Sequence, residues 1–273
     1  MAAAPASSGN TKLSGIEGLL IDLDGVVSIG GALVQGSAEA LRRLERSHMP
    51  YRFITNTTRR PRRQVAADLA ALGLAVDMAH IFTPAALVRA YCLERNLSPF
   101  LVTHPDLRED FEGLSTGGRE AVIVGDAGPF FTYAQMNTAF RKLMHGADFL
   151  ALATNRAFQD QDGDLSLDAG PFVAALEFAS RRKASVYGKP ARDFFDAAVA
   201  ALRLAPHRIA MIGDDVEADV GGAMAAGLAG ILVRTGKYRT GQEAALAIAP
   251  SFVADDLSAA VVAVLGDTRQ PGL

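Results

Sequence analysis

The apolar positions of the chain fall into two periods that alternate along it. Gly18-Leu19-Leu20-Ile21 is a continuous apolar run that stops at Asp22, Leu23, Asp24 and Gly25. Such a run predicts a strand buried on both faces, of the parallel-sheet kind, with an abrupt end. Val27–Gly36 carries three glycines and short alternation and predicts a small hairpin or flap. Over Ser37–Ser47 the period becomes helical, with Ala38, Leu41 and Leu44 on one face and Glu39, Arg42, Arg43 and Glu45 elsewhere. Tyr51–Ile54 is a second short strand that ends in Thr55-Asn56-Thr57-Thr58. Pro61 then suits the first turn of a helix to about Leu72, where its missing N–H is not needed.

From Thr83 the alternation starts afresh. Helical Ala85–Arg95, strand-like Phe100–Thr103 and Ala121–Val124, helical Tyr133–Met144, strand-like Phe149–Ala153 and helical Pro171–Ser180 make an α/β unit of their own. The first pattern resumes at Ser185-Val186-Tyr187-Gly188, followed by Lys189-Pro190 and a helix with Phe194, Phe195, Ala198 and Leu202 on its apolar side. Arg208–Ile212 is another apolar strand that ends in acid, Gly213-Asp214-Asp215-Val216-Glu217-Ala218-Asp219. A helix to about Ala226, a strand Gly230–Val233 and a last unit over Ser251–Val264 complete the pattern. The prediction is a doubly wound, Rossmann-like parallel sheet over residues 13–82 and 184–273, interrupted by an inserted α/β domain over 83–183.

Composition narrows this picture. A chain of 273 residues suits about two domains. With 49% hydrophobic and 21% charged residues it has the means for a sizeable core and is neither disordered nor fibrous. A net charge of -3 from 27 basic and 30 acidic residues gives no general reason to expect nucleic acid or an anionic membrane as partner. No apolar run reaches the ~18 residues of a membrane helix. Residues 1–12 read as a flexible tail without the basic start and apolar block of a secretory signal. The single cysteine, Cys92, excludes an internal disulfide framework, suits a reducing compartment such as the cytoplasm, and reads as a small buried apolar residue.

In a parallel sheet the carboxyl ends of the strands share one edge, so Asp22 with Asp24, Thr55 with Asn56, Lys189, and Asp214 with Asp219 are predicted to converge. Taken alone, Asp22 and Asp24 read equally well as a ligand site and as a strand followed by an Asp-Gly turn. Taken together, the carboxylates suit a hard cation such as Mg²⁺, while the lysine, hydroxyl and amide suit a phosphoryl group. No Walker-type loop is present, which argues against a P-loop nucleotide site. Asp215 and Asp168 read as helix caps. Arg59, Arg60, Arg62 and Arg63 read either as a basic rim that steers anions or as a solvated surface run.

Asp22-Leu23-Asp24-Gly25-Val26, Ile54-Thr55-Asn56, Gly188-Lys189-Pro190 and Gly213-Asp214-Asp215 with Asp219 resemble, in order, the four motifs of the haloacid dehalogenase superfamily. The insertion resembles the C2-type cap of its class IIA phosphatases. Further similarity, in Ile54-Thr55-Asn56-Thr57-Thr58, Gly170-Pro171-Phe172-Val173, Val186–Pro190 and Met211–Asp215, is to the phospholysine phosphohistidine inorganic pyrophosphate phosphatase subgroup. The resemblance implies a Mg²⁺-dependent phosphatase of small phosphorylated substrates, in which Asp22 is the nucleophile and Asp24 the acid and base. Mg²⁺ would be held by Asp22, the carbonyl of Asp24 and Asp214, with Asp219 at the metal site either close by the ion or acting through its other ligands. Thr55, Asn56 and the loop at Gly25 would bind phosphoryl oxygens, Lys189 would neutralise charge, and Asn155 in the cap would face the substrate. Members of that subgroup often carry serine where this chain has Asp24, so an acid here favours phosphomonoesters over N–P or pyrophosphate bonds. A phosphotransferase and a catalytically silent phosphate-binding scaffold are the rival expectations, and pairing of two copies through the cap is a further one.

Overall fold

In the computed structural model the described residues are 13–159 and 163–266; the expected tail over 1–12 lies outside them. The chain forms two compact units, one of Met1–Ile54, Leu69–Val76 and Phe195–Leu273, the other of Thr55–Asp68 and Asp77–Phe194.

The first unit is built on parallel strands in the order Phe252–Ala254, Ala229–Val233, Ile209–Gly213, Gly18–Asp22 and Tyr51–Ile54. Its two central strands, Gly18–Asp22 and Ile209–Gly213, are buried at every residue. That is the outcome expected of apolar runs without alternation, because such a strand has no face suited to water. The helix Ser37–Ser47 buries Ala40, Leu41 and Leu44 and packs beside Leu257–Leu265. The glycine-rich Val27–Gly36 stretch forms the expected hairpin, Ser28–Ile29 against Ala32–Leu33.

The second unit has its own parallel sheet, ordered Ser185–Val186, Asp148–Ala151, Arg119–Val124 and Leu97–Val102. Successive side chains of a strand point to opposite faces, and the core divides accordingly. Ala121, Ile123 and Leu150 join one cluster with Val88 and Cys92, while Val122, Val124, Phe149 and Ala151 join another with Ala139, Leu143, Val173 and Leu176. The first cluster takes in the helix Pro84–Arg95, and the second takes in Tyr133–Met144 and Ala169–Ser180. Thr83 and Thr132 start two of these helices by accepting backbone N–H groups from Ala86 and Gln135. A hairpin of Ala157–Gln159 with Leu165–Leu167 adds strands that periodicity did not predict. Pro190 stands just before the next helix, which begins at Arg192.

Candidate active site

Gly18–Asp22 and Ile209–Gly213 are parallel neighbours with Ile21 opposite Ile212, so Asp22 and Asp214 leave the sheet at the same edge. The chain then turns through Val216–Gly221, a π-helix where an α-helix was predicted. Asp215 starts this turn, its Oδ1 accepting the N–H groups of Glu217 (3.2 Å) and Ala218 (2.9 Å), as expected of a cap. The turn returns Asp219 to the sheet edge, where its Oδ2 accepts the N–H of Asp215 at 3.2 Å.

One carboxylate oxygen from each of Asp22, Asp214 and Asp219 lies within 4.8 Å of the others, and the three residues are only 6%, 1% and 1% exposed. Two unit charges about 5 Å apart repel by about 3 kcal/mol at an effective dielectric of about 20. Three buried carboxylates therefore call for a compensating cation, and an all-oxygen donor set fits a hard divalent ion such as Mg²⁺. Asp24, two residues beyond Asp22, is exposed and stands outside this trio.

Two loops close over Asp214. Gly25, at φ +94°, and Gly236, at φ +56°, come so near that a Cβ on either would lie 2.0 Å from Asp214 Oδ2. Only glycine satisfies both the approach and the left-handed backbone. Gly25 N–H donates to Ser28 O (2.8 Å), while Gly25 O accepts from Thr235 Oγ1 (2.5 Å). Lys237 N–H donates to Asp214 Oδ2 at 2.6 Å, and its Nζ reaches Asp215 Oδ2 at 3.4 Å. Burial works to lower the Lys237 pKa, but the carboxylates of Asp215, Asp214, Asp219 and Asp22 outweigh it and raise the ammonium above its ordinary value.

The other unit carries the polar set. Thr55 is buried, its N–H donates to Phe82 O (3.2 Å), and its Oγ1 accepts the N–H of Thr57 (3.1 Å). Asn56 and Lys189 hold each other twice: Asn56 Nδ2 donates to Lys189 O (2.9 Å) and Lys189 N–H donates to Asn56 Oδ1 (2.8 Å). Residues 133 apart in sequence are thereby joined, and Lys189 is only 6% exposed. Asn155 is exposed and its carbonyl accepts the N–H of Gly170 at 2.9 Å. Asp168 accepts the N–H of Ala169 at 2.6 Å, the capping role expected of it. Burial raises its pKa, opposed by that N–H and by Asn155. The arginine run does not stand as a bare basic rim, since Arg59, Arg60 and Arg63 pair with Asp126, Asp68 and Glu109. Cys92 is buried, and burial pushes its thiol up to about 11, which rules it out as a ready nucleophile at neutral pH.

Sequence reasoning missed Thr235, Gly236 and Lys237. A Thr-Gly-Lys after an apolar strand reads as an ordinary turn, and the only available signal was its place beyond the strand next to the Asp214 strand.

Residues 19–116 match the family model described as haloacid dehalogenase-like hydrolase, and residues 186–260 match one described as HAD-hydrolase-like. The chain is 38% identical over 266 residues to the phospholysine phosphohistidine inorganic pyrophosphate phosphatase of Danio rerio, covering 95% of this chain and 98% of that protein. It is also 38% identical over 250 residues to the haloacid dehalogenase-like hydrolase domain-containing protein 2 of Bos taurus, covering 92% of this chain and 96% of that protein. Among solved structures it is similar to a 4-nitrophenylphosphatase of Thermotoga maritima, with a TM-score of 0.85 and 26% identity over 93% of this chain and 99% of that one. NagD of E. coli K-12, at 22% identity, a TM-score of 0.81 and coverage of 89% of this chain and 97% of that one, shares the fold. Capped phosphatase folds and the buried acid trio agree with the motif order, and the chain belongs to the haloacid dehalogenase-like hydrolases, as a phosphatase of the class IIA type.

Proposed function

We propose that this phosphatase hydrolyses phosphomonoesters of small metabolites with Mg²⁺, through a covalent aspartyl phosphate on Asp22. The observation that carries the reading is the buried trio Asp22, Asp214 and Asp219. In the first half-reaction a carboxylate oxygen of Asp22 attacks phosphorus and the ester P–O bond breaks. Asp24 gives its proton to the departing oxygen. In the second, Asp24 takes a proton from water, whose oxygen attacks the phosphoryl group and releases phosphate, restoring Asp22. Lys189 neutralises phosphoryl charge, and Thr55 and Asn56 hold phosphoryl oxygens. The absence of a side chain at Gly25 lets the phosphoryl group approach the loop. Mg²⁺ would be held by Asp22, the carbonyl of Asp24, Asp214 and Asp219, and supplies charge neutralisation that lets an anionic substrate meet an anionic nucleophile.

Residues 83–183 act in this reading as the cap that selects the substrate, with Asn155 facing it. Pairing of two copies through the cap is supported by the exposure of Phe178 (89%), Tyr133 (84%) and Leu165 (78%). Among the described residues no helix is long and apolar enough to cross a membrane. The lone buried thiol is compatible with a reducing, cytoplasmic setting.

Hydrolysis of N–P or pyrophosphate bonds is the second reading, favoured by the names of the relatives at 36–38% identity. Asp24 supports the monoester reading, since a general acid is needed most by a poor alkoxide leaving group. The test is phosphate release from a sugar phosphate, pyrophosphate and a phosphoramidate with Mg²⁺ and with EDTA, beside Asp22→Asn as the blank. Turnover of the sugar phosphate that disappears with EDTA and in the blank is expected. A strong preference for the other two substrates overturns the monoester assignment. Labelled phosphate passing to added alcohols rather than water would mark a phosphotransferase instead.

A further inference from the structure

We infer that Thr235-Gly236-Lys237 is a positioning strap that holds the cation-binding oxygens in register before the cation arrives; the inference rests on the Mg²⁺ reading above. The segment follows the strand Ala229–Val233 and belongs to none of the four motifs.

Three contacts tie it to stretches that lie far away in sequence. Thr235 Oγ1 donates to Gly25 O across 210 residues, at 2.5 Å. Lys237 N–H donates to Asp214 Oδ2 at 2.6 Å. Gly236 lies between them, and a Cβ there would fall 2.0 Å from Asp214 Oδ2 and 2.6 Å from Gly25 Cα. The strap therefore grips the loop after Asp22 and the carboxylate of Asp214 together. Lys237 Nζ extends the grip to Asp215 Oδ2 at 3.4 Å, and Asp215 N–H holds Asp219 Oδ2 at 3.2 Å. One oxygen of Asp214 and one of Asp219 are thus set by backbone N–H groups, which fixes the rotation of both carboxylates.

A carboxylate binds a cation well only if its rotation already suits the ion, and groups that orient ligands set affinity without touching the metal. Like charges held close also drift apart unless something restrains them, and backbone donors restrain Asp214 and Asp219 against the repulsion of the trio. Two of the strap's three contacts with the site come from backbone or from the lack of a side chain, so Thr235 is the residue whose side chain can be exchanged cleanly.

The experiment compares wild type with Thr235→Val, Thr235→Ser, Lys237→Met and Gly236→Ala. Each is titrated with Mg²⁺ and read twice, as the rise in Tm over the EDTA value and as the half-saturating Mg²⁺ for phosphate release. Thr235→Val is expected to raise the half-saturating Mg²⁺ about 10-fold and to shrink the Mg²⁺-dependent rise in Tm, with kcat at saturating Mg²⁺ falling less than the affinity. Thr235→Ser should restore both readouts. Lys237→Met should have a smaller effect, because its donor to Asp214 is the backbone, and Gly236→Ala a larger one. A Mg²⁺-responsive wild type matched by Thr235→Val overturns the inference alone. So does a Thr235→Val protein whose Tm falls equally in EDTA and Mg²⁺, since that marks general packing. A wild type indifferent to Mg²⁺ overturns the cation reading and the strap with it.

Discussion

Two aspartates of this chain stand at the same local address and meet different company. Asp126 follows Val122-Ile123-Val124-Gly125 in the second unit, and Asp214 follows Ala210-Met211-Ile212-Gly213 in the first. Each is buried and each comes directly after a buried parallel strand and a glycine. Around Asp126 a cation and a donor lie against the carboxylate, Arg59 Nε at 3.1 Å from Oδ2 and Gly128 N–H donating to Oδ1 at 2.9 Å, with the carboxyl of Asp168 as a further acid that interacts with it. Around Asp214 the near charges include two further carboxylates, Asp22 and Asp219. A Gly-Asp after a buried strand is therefore no metal signal by itself. What makes it one is the sign of the charges that other elements bring to the same place.

Asp214→Asn tests that contrast most severely. Phosphate release should fall by about 100-fold or more, and the Mg²⁺-dependent rise in Tm should vanish. In EDTA the variant should unfold no lower than wild type, because removing one of three like charges relieves repulsion. Phosphate assays and thermal unfolding with and without Mg²⁺ read both effects. A variant that is less stable in EDTA would place Asp214 among ordinary structural carboxylates and erase the contrast.

Asp126→Asn should do the reverse at smaller scale. The amide keeps an acceptor for Gly128 N–H but loses the pairing with Arg59, whose side chain is 40% exposed and can turn to water. A loss of about 1 kcal/mol is expected, alike in EDTA and in Mg²⁺. Urea unfolding of both forms checks it. Loss of the Mg²⁺ response in this variant would show that the two addresses are not independent.

Much of the fold and part of the site could be read in advance, for identifiable reasons. Ser37–Ser47 and Tyr133–Met144 appear with the predicted bounds because a helical period of apolar positions marks each of them locally. Asp22 and Asp214 meet because apolar runs that end in acid put their carboxylates at one edge of a parallel sheet, and the turn after Asp214 brings Asp219 back to them. The π-helix Val216–Gly221 was not legible, since one extra residue per turn leaves no mark in so short a hydrophobic pattern. Asp126 was passed over for want of a local sign that Arg59, 67 residues earlier, would meet it. The Thr235–Lys237 strap escaped for the same reason, as its contacts lie 23 and 210 residues away.

The gentlest test concerns Asp168, a buried carboxyl close enough to Asp126 and Arg59 to feel both charges. Burial is the largest influence on it and raises its pKa, while the N–H of Ala169 and the side chain of Asn155 pull the other way. A folded state that holds this proton more tightly than the unfolded chain is favoured below the ordinary value of 3.8 and loses that advantage as pH rises through the raised folded value. Wild type in EDTA should therefore gain stability on acidification across that window from this group, against the trend of carboxylates with lowered pKa such as Glu177. Asp168→Asn keeps an acceptor for the Ala169 N–H at the helix start and removes the titration. Its Tm should stay closer to its neutral-pH value relative to wild type as pH is raised through the window, with a difference that shrinks toward zero at the acid end. Parallel Tm curves for the two proteins across that window would mean that Asp168 is ionised in the folded protein as readily as in the unfolded chain, and that its burial is fully offset by its two donors.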